Sequence, residues 1–319
     1  MSHSLEAAGR RAGAPGAGRR WSNPLTLLAA AGAVALCGCG GSPRGGAAGP
    51  ARPPPARAER ILSLAPSITE VLVALGREDR LVGATRFCLL PASATNVARV
   101  GGYYDPNFEA IASLAPDLAL ILPEHDQARA GLDALGIPYV DVRQQSVEDI
   151  LESVDVIGRL AGAEERARAL RSELEARRRR VRERLEGRPR PRVLLSVGRH
   201  VAAGALGEVY VAGRGTFLDE LLACAGGENA YGGALAYPTL SAEGLLRMDP
   251  DAIIDFVPDL AARGWDAERV RADWRRLDVR AVREGRIHVL GEEYVALPGP
   301  RFVETLESMA RALHPEAFP

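Results

Sequence analysis

The sequence predicts an α/β protein of two Rossmann-like lobes joined by one long rigid helix. Three observations carry that expectation. The stretch from Ala163 to Glu186 is almost all Ala, Leu, Glu and Arg, strong helix formers, with no Gly or Pro inside. Similar lengths of globular-looking chain lie on either side of it. A unit before it, YYDPNFEAIASLAPD at 103–117, is echoed after it by YPTLSAEGLLRMDPD at 237–251, and in both a Tyr stands six residues before a Glu and Pro-Asp begins seven residues after it. Each copy reads as a loop, a short helix, a turn at Pro-Asp and a buried strand.

The central helix has only a narrow apolar stripe, Leu170, Leu174, Val181 and Leu185, and is laced with charge pairs such as Glu164 with Arg168 and Glu175 with Arg179. A helix this polar bridges two bodies along their surface. At 1.5 Å per residue it would be roughly 36 Å long. Gly187 and Pro189 end it. The expected divisions are an N-terminal lobe over 60–161, the bridging helix over 162–188 and a C-terminal lobe over 189–319.

In the first lobe, Ile61 to Leu64 reads as a strand, and Ser67 to Glu70 as a capping box opening a helix that Gly76 stops. Leu81 to Thr85 is the next strand. The apolar run Leu118 to Leu122 follows, then a helix from about Gln127 to Leu135, a strand from Pro138 to Val142 and a helix from Ser146 to Leu160. In the second lobe, strands are expected at Arg192 to Val197, Ala252 to Phe256 and Ile287 to Leu290, with helices at Thr216 to Ala223 and Pro300 to Leu313. Alternating strands and helices indicate a parallel sheet with helices on its faces.

The first 39 residues are expected to be a leader rather than fold. Arginines 10, 11, 19 and 20 precede an apolar run from Leu25 to Leu36, too short for a bilayer span but suited to a secretory signal. The run ends Leu36-Cys37-Gly38-Cys39, like a lipoprotein cleavage motif, which would make Cys39 the lipidated N-terminus, anchoring an exported, cell-envelope protein to the membrane through its lipid; residues 40–59 would be a flexible tether.

A formal net charge of -1 points to no nucleic acid. The chain has no lysine, which removes Schiff-base chemistry and the P-loop grip on phosphate. There is no nucleophile elbow, CxxC or HExxH sequence. Cys88 and Cys224 fall on opposite sides of the bridging helix and are expected to be separate thiols.

Together RILSLAPSITEVLVALG, LVGATRFC, VGGYYDPNFEAIASLAPDLALIL and the later AGGEN resemble the helical-backbone substrate-binding proteins of bacterial ABC importers for cobalamin, iron-siderophore complexes and haem. The resemblance runs from about Arg60 to the end. It implies a monomeric, non-enzymatic protein with no cofactor of its own. It would hold a small metal chelate (corrinoid, siderophore or haem) in the cleft between the lobes and deliver it to an ABC permease and its ATPase. The matching cleft loops hold Pro66, Ser67, Phe87, Cys88, Tyr103, Leu122, His125, His200, Tyr210 and Tyr237. Alignment with cobalamin-binding members puts Phe87, Tyr103, Tyr210 and Tyr237 at ligand-touching aromatic positions, two of which are tryptophan there. The resemblance also makes Glu109 and Glu243 the pair, one per lobe, that docks on permease arginines; the helix-dipole position of each is the plainer account. His125 and His200 have imidazoles suited to a ligand's metal but no metal-site spacing, so no resident metal is expected. Arg86 and Arg199 flank the cleft and could meet a ligand's carboxylates, or form salt bridges. An exported two-lobe enzyme or a ligand sensor is the alternative from another class.

Overall fold

The computed structural model describes residues 53–201 and 206–318. The leader, Cys39 and most of the tether lie outside the described residues.

The first lobe is built from β1 (Ile61–Ser63), α1 (Pro66–Ala74), β2 (Leu81–Ala84), β3 (Ala98–Arg99), α2 (Phe108–Leu114), β4 (Leu118–Ile121), α3 (Asp126–Leu135), β5 (Tyr139–Asp141) and α4 (Val147–Leu160). Its five strands pair in the order β3-β2-β1-β4-β5, every pair parallel. The run Leu118 to Ile121 is buried at every position, as expected of a parallel strand covered on both faces.

Helix α5 (Glu164–Arg184) leads to the second lobe: β6 (Arg192–Arg199), β7 (Val209–Val211), α6 (Phe217–Cys224), β8 (Glu228–Asn229), β9 (Thr239–Leu240), α7 (Ala242–Met248), β10 (Ala252–Phe256), α8 (Ala267–Trp274), α9 (Arg280–Arg283), β11 (Ile287–Leu290) and α10 (Phe302–Leu313). This sheet is mixed. The order is β11-β10-β6-β7-β9, with β7 antiparallel to both β6 and β9, and β8 paired to the start of β6. The second lobe therefore departs from the all-parallel style of the first. Strand β6 runs two residues beyond its expected end because Gly198 and Arg199 pair with β7.

The sequence repeat is a structural repeat. Helices α2 and α7 each have 7 residues. Asn107 caps α2 by accepting from the Ala110 N–H, and Ser241 caps α7 by accepting from the Gly244 N–H. Both helices end on a left-handed residue that is not glycine, Ala115 (φ 43°) and Asp249 (φ 42°). The Asp of each Pro-Asp turn then ties the start of a neighbouring strand. Asp117 accepts from the N–H groups of Glu59 and Arg60, and Asp251 from that of Arg192.

Helix α5 buries Ala167, Leu174 and Val181, a one-in-seven stripe against α4 and α10. Two arginines fasten it. Arg171 reaches Asp155 of α4 at 2.8 Å and Glu175 on its own helix at 3.0 Å, while Arg177 makes two 3.0 Å bonds to Glu307 of α10. The expected partner pairs are thus re-dealt: Glu164 pairs with Arg57 and Glu175 with Arg171. The apolar core beneath is continuous between the lobes, with Leu72, Ile150, Leu174, Leu222 and Met309 in one cluster.

Two helix starts contrast. Ser146 and Asp149 form a full capping box on α4, as read from the sequence. The box expected at Ser67 and Glu70 is absent. Helix α1 starts two residues earlier, with Ala65 as N-cap and Pro66 in its first turn. Glu70 instead crosses to the second lobe, accepting from the Arg301 backbone N–H at 2.9 Å and from its guanidinium at 3.3 Å.

Candidate functional site

Parallel strands deliver their following loops to one edge of a sheet, the usual place for a ligand crevice. In the first lobe these loops carry Pro66 after β1, Phe87 and Cys88 after β2, Tyr103 after β3, and Leu122, Glu124 and His125 after β4.

Tyr103 is the centre of this group. Its phenol donates to Glu124 Oε1 at 2.8 Å. Its ring stands edge-on to the His125 imidazole, with centroids 4.0 Å apart at 81°, and touches the Tyr104 ring at 4.7 Å. Burial, and after it the Glu124 carboxylate, pushes the Tyr103 phenol well above its ordinary range. His125 is 3% exposed, and burial lowers its pKa to about 4. Its Nδ1 accepts from the Leu122 N–H at 3.3 Å, so the neutral ring carries its proton on Nε2, which is buried without a hydrogen-bond partner.

Tyr237 of the second lobe is half-buried, and its phenol is pushed up to about 12 by burial first and then by the charge of Glu124. A carboxylate of one lobe thus acts on a phenol of the other, and Tyr103 and Tyr237 pack against the same core cluster. Tyr210 is half-buried on β7 and packs on the same core, while His200 is exposed at the end of β6. Beside this region, a groove of ≈ 420 Å³ runs between the lobes, lined by Pro66, Val73, Leu89 and Leu297 together with the Glu70–Arg301 pair.

Not every expected site residue presents a surface. Ser67 and Cys88 are each 3% exposed. The Cys88 sulfur lies 3.0 Å from Thr69 Oγ1 and 3.2 Å from Thr85 Oγ1, and burial raises its pKa. Cys88 therefore anchors its loop from inside, and His125 supports the Tyr103 ring from below. Phe87 is half-buried under the Arg86 guanidinium, 5.0 Å from the ring centroid.

The two flanking arginines are both engaged. Arg86 pairs with Asp105 at 2.9 Å. The Arg199 side chain is only 1% exposed and points into its own lobe, bonding Asp255 at 3.0 Å, Asp273 at 2.7 Å and the Val270 carbonyl at 2.8 Å. It is a core residue, which corrects the expectation that it meets ligand. Its place at the end of β6 hides this from the sequence, because its partners lie 56 and 74 positions away.

Glu109 and Glu243 occupy equivalent exposed positions in the first turns of α2 and α7, and Glu243 also pairs with Arg247 at 3.0 Å. Among the described residues no group of three or more His, Cys, Asp or Glu side chains is placed to hold a metal ion, and no helix is long and apolar enough to cross a membrane.

A family model for periplasmic binding proteins matches residues 61–294, from β1 of the first lobe through the bridging helix to β11 of the second. The chain belongs to the periplasmic binding protein family. This periplasmic binding protein is 28% identical over 269 residues to YvrC, an uncharacterized ABC transporter substrate-binding lipoprotein of Bacillus subtilis, covering 82% of this chain and 81% of that one. It is 28% identical over 273 residues to a cobalamin-binding protein of Halobacterium salinarum, covering 80% of this chain and 69% of that one. Among solved structures, a periplasmic haem-binding protein from Pseudomonas aeruginosa superposes with a TM-score of 0.69 at 27% identity, covering 82% of this chain and 95% of that one. The family binds and hands on ligands rather than converting them, in keeping with a crevice lined by aromatic rings.

Proposed function

We propose that this periplasmic binding protein is the substrate-binding component of an ABC import system. It captures a corrinoid or another metal chelate between its lobes and delivers it to a membrane permease and its ATPase. The observation that carries the reading is that half-buried Tyr103 of the first lobe and Tyr210 and Tyr237 of the second pack against one shared core cluster. Tyrosine rings give flat apolar area at low entropy cost, suited to the face of a macrocycle or a compact chelate. Pro66, Phe87 and Tyr210 complete the ligand-contacting set, His200 borders it, and Ser67, Cys88, Leu122 and His125, all buried, hold it from behind.

The permease is met through Glu109 and Glu243. Each carries a solvated carboxylate at the same point of the repeated helix, so the pair fixes a two-point register on a basic partner surface. The chain works as a monomer held to the membrane by lipid on Cys39. Support for the anchor comes from the leader's cysteine motif and from the lipoprotein relative.

Titration calorimetry with cyanocobalamin, a ferric hydroxamate, a ferric catecholate and haemin tests this. One-to-one binding of one of them, weakened at least tenfold by Tyr103→Ala or Tyr237→Ala, is the expected result. Absence of binding by all four sinks it. A ferric-siderophore or haem ligand is the second reading, favoured by the haem-binding structural relative.

A further inference from the structure

We infer that Glu124 is a charge filter in the crevice, setting a preference for metal chelates of zero or positive net charge over polyanionic ones. The inference rests on the crevice being a chelate site and names the ligand class it takes.

Four observations converge. First, the Glu124 carboxylate is exposed in the crevice and fixed there by the Tyr103 phenol at 2.8 Å. The phenol is itself held by the His125 ring behind it. Second, no arginine or histidine forms an ion pair with Glu124 among the described residues, so its charge is not cancelled locally. Third, its field reaches both walls: it acts on Tyr103, Tyr104 and His125 of the first lobe and on Tyr237 of the second. Fourth, several arginines around the crevice are already matched with carboxylates, and Arg99 turns its guanidinium on the Thr85 and Cys88 carbonyls. Arg86 is held by Asp105, Arg129 by Asp126 and Asp141, Arg199 by Asp255 and Asp273, and Arg301 by Glu70 and Glu293.

A flat ligand closing over Tyr103 takes water from the Glu124 carboxylate. That desolvation is costly unless the ligand returns hydrogen-bond donors or positive charge. Peripheral amides, as on a corrinoid, or a pendant ammonium, as on some hydroxamates, do so. Carboxylates or catecholate oxygens bring like charge toward a carboxylate that has no ion-pair partner of its own among the described residues. The Coulomb penalty in such a part-solvated crevice is on the order of tenfold in affinity for each unit of ligand charge.

The test is calorimetric titration of the full chain in a non-ionic detergent. The probes are aquocobalamin (cationic), cyanocobalamin (neutral), a cationic ferric hydroxamate, a trianionic ferric tris-catecholate and haemin. Each is titrated into wild type, Glu124→Gln and the distant control Glu173→Gln on α5. Wild type is expected to prefer neutral or cationic probes. Glu124→Gln should narrow the gap to the anionic probes by roughly tenfold, with Glu173→Gln indistinguishable from wild type. Tyr103→Phe, which keeps the carboxylate, should keep the ranking. Wild type binding an anionic probe as tightly as a neutral one, or a ranking that Glu124→Gln leaves unchanged, overturns the filter while chelate binding stands. Failure of every protein to bind any probe removes both the chelate reading and the filter.

Discussion

Replacing Arg199 by methionine should cost stability and leave ligand affinity alone. The guanidinium, 1% exposed, bonds Asp255, Asp273 and the Val270 carbonyl, and lies 5.1 Å from the Trp274 ring centroid. Asp255, also 1% exposed at its side chain, collects three donors: Arg199 Nε at 3.0 Å, Ser196 Oγ at 2.7 Å and Trp274 Nε1 at 2.7 Å. Methionine keeps the apolar stem against Trp274, so cavity formation is a small part of the change. What is lost is the cation lying between two acidic side chains. Removing one partner of such a buried pair costs about 3–5 kcal/mol, a large share of the roughly 5–15 kcal/mol that holds a typical domain. Urea unfolding followed by tryptophan emission reads the loss directly, because Trp274 is part of the network. Adding Asp255→Asn should recover about half of it, since position 255 is then neutral, with its amide oxygen able to accept from Trp274 and its amide N–H able to donate to Ser196 Oγ, while Asp273 keeps its charge. A loss below about 1 kcal/mol combined with weakened ligand binding would refute the placement of Arg199 in the core.

Other outcomes follow from the same structure. The pKa of His125 is lowered to about 4 by burial, whereas an unfolded histidine titrates near 6.5. The unfolded chain therefore takes up the extra proton first; this stability is present above pH 6.5 and is lost as pH falls from about 6.5 to about 4. His288, also lowered by burial, acts in the same sense, so the difference between wild type and His125→Gln isolates His125 and should reach about 2–3 kcal/mol by pH 4 in chemical denaturation. Ala115→Gly should stabilise by about 0.5–1 kcal/mol because φ is 43° there. Asp249→Gly should gain nothing, since its carboxylate accepts from the Arg280 N–H at 2.6 Å; thermal melts compare the two. Glu109→Arg with Glu243→Arg should abolish uptake in cells while calorimetry shows unchanged ligand affinity; intact uptake would remove the docking role.

Much of the scaffold was legible because local signals and tertiary context agreed. Strands β10 and β11 begin and end where the apolar runs do, and the capping box at Ser146 forms as written. The repeat was legible because each copy needs the same cap, turn and strand tie. The short antiparallel strands β7 and β9 were missed, since three-residue and two-residue segments carry no usable periodicity. Glu70 was misread because it has the spacing of a helix cap, while Arg301, which claims it, lies 231 positions away. At the crevice, the aromatic positions came from resemblance. The loop holding Glu124 was marked, but its reach to Tyr237 depends on lobe placement, which local sequence does not encode.

The tie between Glu70 and Arg301 also has a timetable. It closes a loop of 231 positions that takes in most of both lobes, so it forms only after both are largely in place. A protein that crosses a membrane unfolded emerges N-terminus first, and α1 then waits with its glutamate exposed until nearly the last helix has arrived. A chain cut short before residue 301 would assemble the first sheet yet leave a charged notch where the second lobe should fasten. The contact thus links the first helix of the first lobe to completion of the second, while α1 itself stays seated on its own lobe through Ile68, Val71 and Leu72.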